Sequence, residues 1–143
     1  MFHTVHNFCA VDLSAIYLDI TKDRTYASAP ESLKRRAAQT VMHETLHVLL
    51  GLVAPVLSFT ADEVWSHLSQ KGNLESVHLS DWPTVSTSYR DEALEKKWEK
   101  LLTLRGEVTK SLEITRQKKE IGNSVDAGLV LYLDAEWKNF VAE

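Results

Sequence analysis

The sharpest chemical motif in the sequence is His43-Glu44-Thr45-Leu46-His47, which matches the H-E-x-x-H pattern. On a helix, two histidines four residues apart project from one face, where in metalloproteases they bind Zn²⁺ while the glutamate activates a bound water. The extended motif requires a glycine and a further histidine, but Leu50 and Val53 occupy those positions. Glu63 and His67 would have to complete the site. We expect no metal and no catalytic residue, and a zinc-dependent hydrolase is kept as an alternative.

No other catalytic arrangement stands out. The sequence contains no Gly-rich phosphate loop and no G-x-S-x-G nucleophile elbow. Its single cysteine, Cys9, falls among apolar residues, which predicts a small buried side chain rather than a nucleophile. Asp19 and Asp23 alternate with Lys22 and Arg24, a pattern typical of an exposed helix face.

Three small basic groups indicate a different chemistry. Arg and Lys beside aromatic rings can hold phosphates while the rings stack on unpaired bases, as in proteins that bind structured RNA. The net charge of −4 excludes a general attraction to polyanions, so such contacts require a local patch, and ordinary solvated faces are the competing interpretation. The candidate RNA-binding residues are Lys22, Arg24 and Tyr26 in the first group, Arg35 and Arg36 in the second, Arg116, Lys118 and Lys119 in the third, and Trp82 outside the groups.

Length and composition bound the class of protein. A chain of 143 residues with 44% apolar and 25% charged residues is sufficient for one folded domain. No apolar run approaches the ~20 residues of a membrane span, and the N-terminus lacks the features of a signal peptide. A single cysteine excludes an internal disulfide and fits a reducing compartment, so we expect a cytoplasmic protein without a membrane partner.

The elements that position the first two basic groups are predicted to be helices. Apolar spacing indicates helix over residues 2–26, as one bent helix or two, with a possible break at residues 11–14. A second helix is predicted over residues 33–54 and ends before Pro55. The capping-box spacing of Thr60 and Glu63 predicts the start of a third helix that stops near Gly72.

The second half of the chain is predicted to contain one long helix. Residues 75–87 indicate an extended connector with Trp82 packed onto the body of the domain. A helix over residues 91–120 follows, and Gly122 is expected to supply its left-handed C-terminal conformation. Residues 128–134 switch to a β-like pattern that lacks a partner strand, so we expect the C-terminus to open a larger α/β unit.

Several segments, in register over nearly the whole chain, resemble the anticodon-binding region of bacterial isoleucyl-tRNA synthetases. Within residues 7–26, three short strings are similar to those of isoleucyl-tRNA synthetases rather than those of valyl-, leucyl- or methionyl-tRNA synthetases. They are Val-Asp-Leu-Ser, Tyr-Leu-Asp and Lys-Asp-Arg. Thr25 and Ile16 depart from the residues usual in that family, Leu and Phe. The matching segments are Asn7 to Tyr26, Arg35 to Gln39, Ala54 to Trp65, Val77 to Pro83 and Leu112 to Val125.

The resemblance implies a mostly α-helical bundle of the class I synthetase anticodon-binding type, with a small incomplete α/β appendage. Residues 1–122 would form the helical domain, and 123–143 would begin the appendage. The implied function is binding of the anticodon stem-loop of an isoleucine tRNA, with the remaining synthetase domains as the other partner. The family's ATP-binding domain, its two nucleotide signatures, its editing domain and its Cys-rich zinc module have no counterpart here. We therefore expect no cofactor and no aminoacylation by this chain alone; a helical protein-interaction module is the further alternative.

Overall fold

The computed structural model describes residues 2–68 and 74–142. The chain divides into two compact units, Met1–Val85 (unit 1) and Ser86–Glu143 (unit 2). Within the described ranges every regular element is a helix or a helical turn. The mostly α-helical prediction is confirmed. None of the described helices combines the length and the apolarity that a membrane span requires.

The N-terminal segment of unit 1 is helical and is interrupted at Thr21. Helix α1 spans Phe2–Asn7 and continues as a wider π-helical segment over Phe8–Leu18, and helix α2 spans Lys22–Tyr26. Thr21 is buried, and both its backbone N–H and its hydroxyl donate to the Tyr17 carbonyl, at 3.1 and 2.7 Å. A hydroxyl that competes for the helical carbonyl favours a bend at that turn. This interruption lies beyond the break predicted at residues 11–14.

Helix α3 spans Leu33–Val53, as predicted, and α4 spans Ser58–Ser66. Pro55 ends α3 because proline has no N–H to continue the ladder. The predicted capping box is wrong: α4 begins before Thr60, and the Ser58 hydroxyl donates to the Ala54 carbonyl at 2.9 Å instead. Helix α4 ends earlier than the stop predicted near Gly72, which lies outside the described residues.

The core of unit 1 lies between α3, α4 and a short 3₁₀ turn at Val77–Leu79. Alanines at two of the buried positions let the helix backbones approach closely around the single large ring, that of Trp65. The Trp65 indole N–H donates to the Leu74 carbonyl at 2.8 Å, so burying the ring leaves no unpaired donor. The buried cluster consists of Leu50, Ala54, Ala61, Trp65 and Val77.

The connector that follows α4 is held to unit 1 by small and polar contacts. The Asp62 carboxylate accepts from the Ser76 hydroxyl at 2.5 Å and from the Val77 N–H at 3.2 Å. A Cβ on Gly51 would lie 2.6 Å from the Pro83 ring, so only glycine permits this approach. Trp82 is 55% exposed. The prediction that Trp82 packs onto the body is therefore wrong, because Val77 and Pro83 make the contact.

Unit 2 is built on helix α5, which spans Glu92–Gln117. Its 26 residues extend over about 39 Å. Asp91 caps the helix: its carboxylate accepts from the N–H groups of Ala93 and Leu94, both at 3.0 Å. The predicted long helix is confirmed, with Gly106 in its interior.

The C-terminal end of α5 differs from the prediction. The left-handed residue is Lys119, with φ 61°, rather than Gly122. The Lys119 N–H donates to the Arg116 carbonyl at 2.9 Å and the Glu120 N–H to the Thr115 carbonyl at 3.2 Å. These two bonds form the Schellman arrangement, which satisfies the last carbonyls even though a lysine occupies the position that usually requires glycine. Gly122 therefore does not terminate the helix.

The remainder of unit 2 contains a short helix, α6, over Ala135–Ala142. The β-like run 128–134 forms no strand pairing. The prediction of a β element in the C-terminal α/β appendage is therefore wrong. A strand needs a neighbouring ladder, and the described residues supply none. Helix α6 contacts α5 through Lys100, whose ammonium lies 2.8 Å from the Glu136 carboxylate and 5.4 Å from the Phe140 ring centre. No described residue of unit 2 is buried.

Candidate nucleic-acid interface

Two of the three predicted basic groups meet at one end of unit 1. Helix α2 packs against the first half of α3, where the Tyr17 hydroxyl donates to the Ala38 carbonyl at 3.2 Å. The Arg35 guanidinium donates to the Ser28 carbonyl at 2.9 Å, which ties the start of α3 to the end of α2. We call this group the α2–α3 cluster; it consists of Lys22, Arg24, Tyr26, Arg35 and Arg36.

The charges of the α2–α3 cluster lie mostly in solvent. Lys22 pairs with Asp19 at 2.9 Å, and this hydrogen bond raises the pKa of the Lys22 ammonium. Arg36 lies 4.0 Å from Glu31, at the limit of an ion pair. Exposed pairs of this kind contribute little to stability, so an incoming phosphate can replace the carboxylate at small cost.

Aromatic groups lie within and beside the same cluster. Tyr26 is 85% exposed at the end of α2, which leaves its ring face open to a stacking partner. Tyr17 is half-buried: burial raises the pKa of its hydroxyl, and the positive charge of Arg24 opposes that shift. The Tyr17 hydroxyl is bonded to the Ala38 carbonyl, so the chain that leads into α2 is anchored to α3.

The structure does not bring Trp82 to this cluster. Its neighbour Pro83 lies against Gly51, sixteen positions along α3 from Arg35, which corresponds to about 24 Å of helix. Trp82 is exposed there as a separate ring. The sequence motifs did not indicate this separation. The α2–α3 cluster and the Trp82–Pro83 segment both involve helix α3, and the distance between them appears only in the structure.

The third basic group lies in unit 2, at the end of α5. Arg116 pairs with Glu113 of the preceding turn at 3.2 Å. Lys118 and Lys119 follow the last helical residue, where their charges complement the negative end of the helix dipole. Lys118 and Lys119 are both exposed.

A cleft beside this group was not predicted from the sequence. It encloses about 440 Å³ between α5 and residues 121–123. The helix side chains lie at spacings of four, three, one and three residues, so they share one face of α5. This spacing is the one sequence feature that could have indicated the cleft, although the same pattern also describes an ordinary amphipathic helix. We call this feature the α5 cleft; its helix side is Arg105, Thr109, Leu112, Glu113 and Arg116.

The H-E-x-x-H residues belong to the packing of unit 1. The His43 and His47 ring centres are 4.5 Å apart, and the His47 ring meets Trp65 edge-on at 5.3 Å. Within the described residues the His47 Nε2 atom is buried without a hydrogen-bond partner. Burial, with a smaller contribution from His43, lowers the pKa of His47. Across residues 2–68 and 74–142 no group of three or more His, Cys, Asp or Glu is placed to hold a metal ion.

Comparison with known proteins gives consistent matches over the chain. The family model described as the anticodon-binding domain of tRNA ligase matches residues 1–131. The isoleucine–tRNA ligase of Carboxydothermus hydrogenoformans is 52% identical over the whole chain, and that of Moorella thermoacetica is 47% identical over 99% of it. The enzyme of Caldicellulosiruptor bescii is 48% identical over 100% of the chain. The chain spans about 16% of the length of the first and third of these relatives and 15% of the second.

Proposed function

The chain belongs to the anticodon-binding domain family of tRNA ligases, with isoleucine–tRNA ligases as its relatives, and from this premise we propose that it binds the anticodon stem-loop of an isoleucine tRNA. In a longer synthetase this binding would orient the tRNA for ATP-dependent aminoacylation by other domains, which are its second partner. The chain alone carries no aminoacylation chemistry in this proposal. We place that assembly in the cytoplasm. We assign residues 1–122 to the helical domain and residues 123–143 to the start of a C-terminal subdomain.

The observation that carries the proposal is the α2–α3 cluster. Two helices fixed to each other through Arg35 and Tyr17 present four cations and an open tyrosine ring at one end of unit 1. Cations beside an aromatic face suit a hairpin loop, where phosphates approach closely and bases are unstacked. This concentration of positive charge occurs in a chain whose net charge is −4.

The third basic group, Arg116 with Lys118 and Lys119, is proposed as a further RNA contact within unit 2. Its cations would bind phosphates without reading sequence. Trp82 is proposed as a separate aromatic contact, because its exposed ring lies far along α3 from the α2–α3 cluster.

Charge reversal tests the proposal. We expect the double substitution Arg35→Glu with Arg36→Glu to weaken binding of isoleucine tRNA and to flatten its dependence on salt. The loss of two phosphate contacts reduces the slope of log K against log salt by about 1.5 to 2. The measurement is filter binding at several salt concentrations, with an unrelated tRNA in parallel.

The matched control is Lys96→Glu with Lys97→Glu, which changes the net charge equally on the exposed N-terminal half of α5. Arg36→Glu alone keeps the Arg35 bond to Ser28 and separates lost RNA contact from loosened packing. Equal weakening in both double variants would mean that net charge, and not the α2–α3 cluster, governs binding. Equal affinity for both tRNAs would remove the isoleucine assignment.

A further inference from the structure

Helix α6 carries two aromatic rings and a carboxylate that together hold an ammonium group of the chain itself. The Trp137 and Phe140 ring centres are 5.8 Å apart, and the rings stand almost perpendicular, at 85°. The Lys100 ammonium of α5 lies 5.9 Å from the first ring centre and 5.4 Å from the second. The same ammonium donates a hydrogen bond to the Glu136 carboxylate at 2.8 Å. We call Glu136, Trp137 and Phe140 the α6 corner.

The α6 corner is built within one short helix. Its three residues follow one another at spacings of one and three, so they lie within about one helical turn. The Asp134 carboxylate accepts from the Trp137 N–H at 2.9 Å and so caps the start of α6. Both rings are half-buried, whereas Glu136 is exposed. The corner is therefore formed by α6 itself, and Lys100 enters it from α5 as an occupant.

The chemistry of the α6 corner suits a primary ammonium group on an alkyl stem. The faces of aromatic rings attract a cation within about 6 Å, and a carboxylate accepts the hydrogen bonds that an ammonium donates. A quaternary ammonium has no N–H for Glu136, and K⁺ has no methylene groups to lie along the rings. A guanidinium binds a carboxylate best through two parallel hydrogen bonds, whereas the ammonium bonds to one oxygen of Glu136.

Lys100 is held weakly enough for another cation to displace it. The side chain of Lys100 is 49% exposed and that of Glu136 is 78% exposed, so water screens their ion pair. The net charge of −4 favours the approach of a cation. An amine in solution therefore competes with Lys100 for the same rings and the same carboxylate.

We propose that the α6 corner is a binding site for a small aliphatic amine in its protonated form, with the ammonium between the Trp137 and Phe140 rings and bonded to Glu136. Lys100 is the internal competitor, which occupies the site when no amine is bound. The proposal goes beyond the RNA-binding function, since no residue of the α6 corner belongs to the three basic groups.

Removal of the internal competitor is the central test. Lys100→Ala vacates the α6 corner, and Lys110→Ala removes the same charge from another exposed position of α5. The 143-residue chain and both variants are titrated with butylammonium chloride at constant ionic strength, followed by NMR of the Trp137 indole N–H.

We expect Lys100→Ala to bind butylammonium about tenfold more tightly than the unchanged chain, because internal occupancy lowers the apparent affinity by the fraction of vacant sites. Lys110→Ala should bind like the unchanged chain. An equal gain in both variants would mean that net charge governs binding, and no gain in Lys100→Ala would mean that Lys100 and the amine do not share a site. Either result would overturn the proposal.

The second arm tests the chemistry of the ligand. Lys100→Ala is titrated with the chlorides of K⁺, tetramethylammonium and methylguanidinium, and each should bind more weakly than butylammonium. In the same background Glu136→Gln and Phe140→Leu should each weaken butylammonium binding by about threefold or more, whereas Glu107→Gln, which changes an exposed carboxylate of α5, should not. Equal binding of K⁺ would reduce the corner to a carboxylate, and equal binding of tetramethylammonium would exclude the bond to Glu136; both contradict the proposal.

The helicity of α6 controls for folding. If loss of Lys100 unwinds α6, the backbone chemical shifts of residues 135–142 report it. Excess butylammonium should then restore the helix, because a ligand that binds only the folded form stabilises that form. An α6 that stays unwound in excess amine would show that the corner does not bind it. The unchanged chain supplies a measurement free of any substitution, since excess butylammonium should shift the Trp137 signal there as well.

Discussion

Units 1 and 2 are stabilised in different ways. Every fully buried side chain in the described ranges lies in unit 1, whereas unit 2 rests on a single long helix with defined ends and a contact between Lys100 and α6. Contacts between helices position the α2–α3 cluster, whereas the α5 cleft is formed by one face of a single helix and the short segment 121–123 that follows it. A core substitution should therefore affect one candidate surface and leave the other intact.

The largest expected effect comes from Trp65→Ala. The substitution removes the one large ring among the described core residues of unit 1 and its bond to Leu74, so the free energy of unfolding should fall by about 3 to 5 kcal/mol. Trp98→Ala is the control, because Trp98 lies on α5 and is 41% exposed; its cost should be about 1 kcal/mol or less. Urea unfolding followed by circular dichroism measures both. Similar losses in the two variants would contradict the division between a packed and an unpacked unit.

A smaller effect of opposite sign is expected from Lys119→Gly in unit 2. The lysine holds a left-handed conformation that costs a residue with a Cβ about 1 kcal/mol, and glycine adopts it freely. Stability of α5 should therefore rise by up to about 1 kcal/mol. Lys119→Ala removes the same charge but keeps the strain, so it should give no gain. The helix signal of α5 during thermal unfolding decides between them, and equal gains would assign the effect to charge.

The sequence predicted the elements whose signals are local. Helix α3 shows a continuous apolar stripe and stops before Pro55, and α5 begins directly after Asp91, whose carboxylate suits the first unpaired N–H groups. The residues of the first two basic groups lie on or beside helices α2 and α3, and their role in RNA binding stays a prediction. The resemblance to a known family supplied the rest of the fold class.

Features that depend on tertiary contacts escaped prediction. The interruption at Thr21 comes with burial of that residue, which no local pattern indicated, and the left-handed Lys119 was missed because Gly122 carried the stronger propensity signal. Similarly, Pro83 takes the contact expected of Trp82 because Gly51 leaves room for it. The α5 cleft was missed for another reason: its side chains look like a solvated helix face until residues 121–123 close over them.

The smallest expected effect is acid sensitivity confined to unit 1, which contains all six histidines of the chain. Burial lowers the pKa of His47 below its ordinary value of 6.5, so the folded chain binds fewer protons at this ring than the unfolded chain does. The stabilisation that comes from burying the neutral His47 ring is therefore fully present above pH 6.5. It decreases as the pH falls from 6.5 through the pKa of the ring in the folded chain. The decrease is small because the ring keeps part of its surface in solvent.

Substitution of His47 by leucine isolates this contribution. The difference in unfolding free energy between the unchanged chain and His47→Leu should shift in favour of the leucine variant as the pH is lowered from 7.5 to 5.5, because leucine takes up no proton beside Trp65 and His43. Urea unfolding at several pH values measures the difference, and NMR titration of the His47 ring gives its pKa directly. A difference that stays constant with pH would show that the ring is protonated as readily in the folded chain as in the unfolded one, and that the packing of α3 on α4 does not exclude water from it.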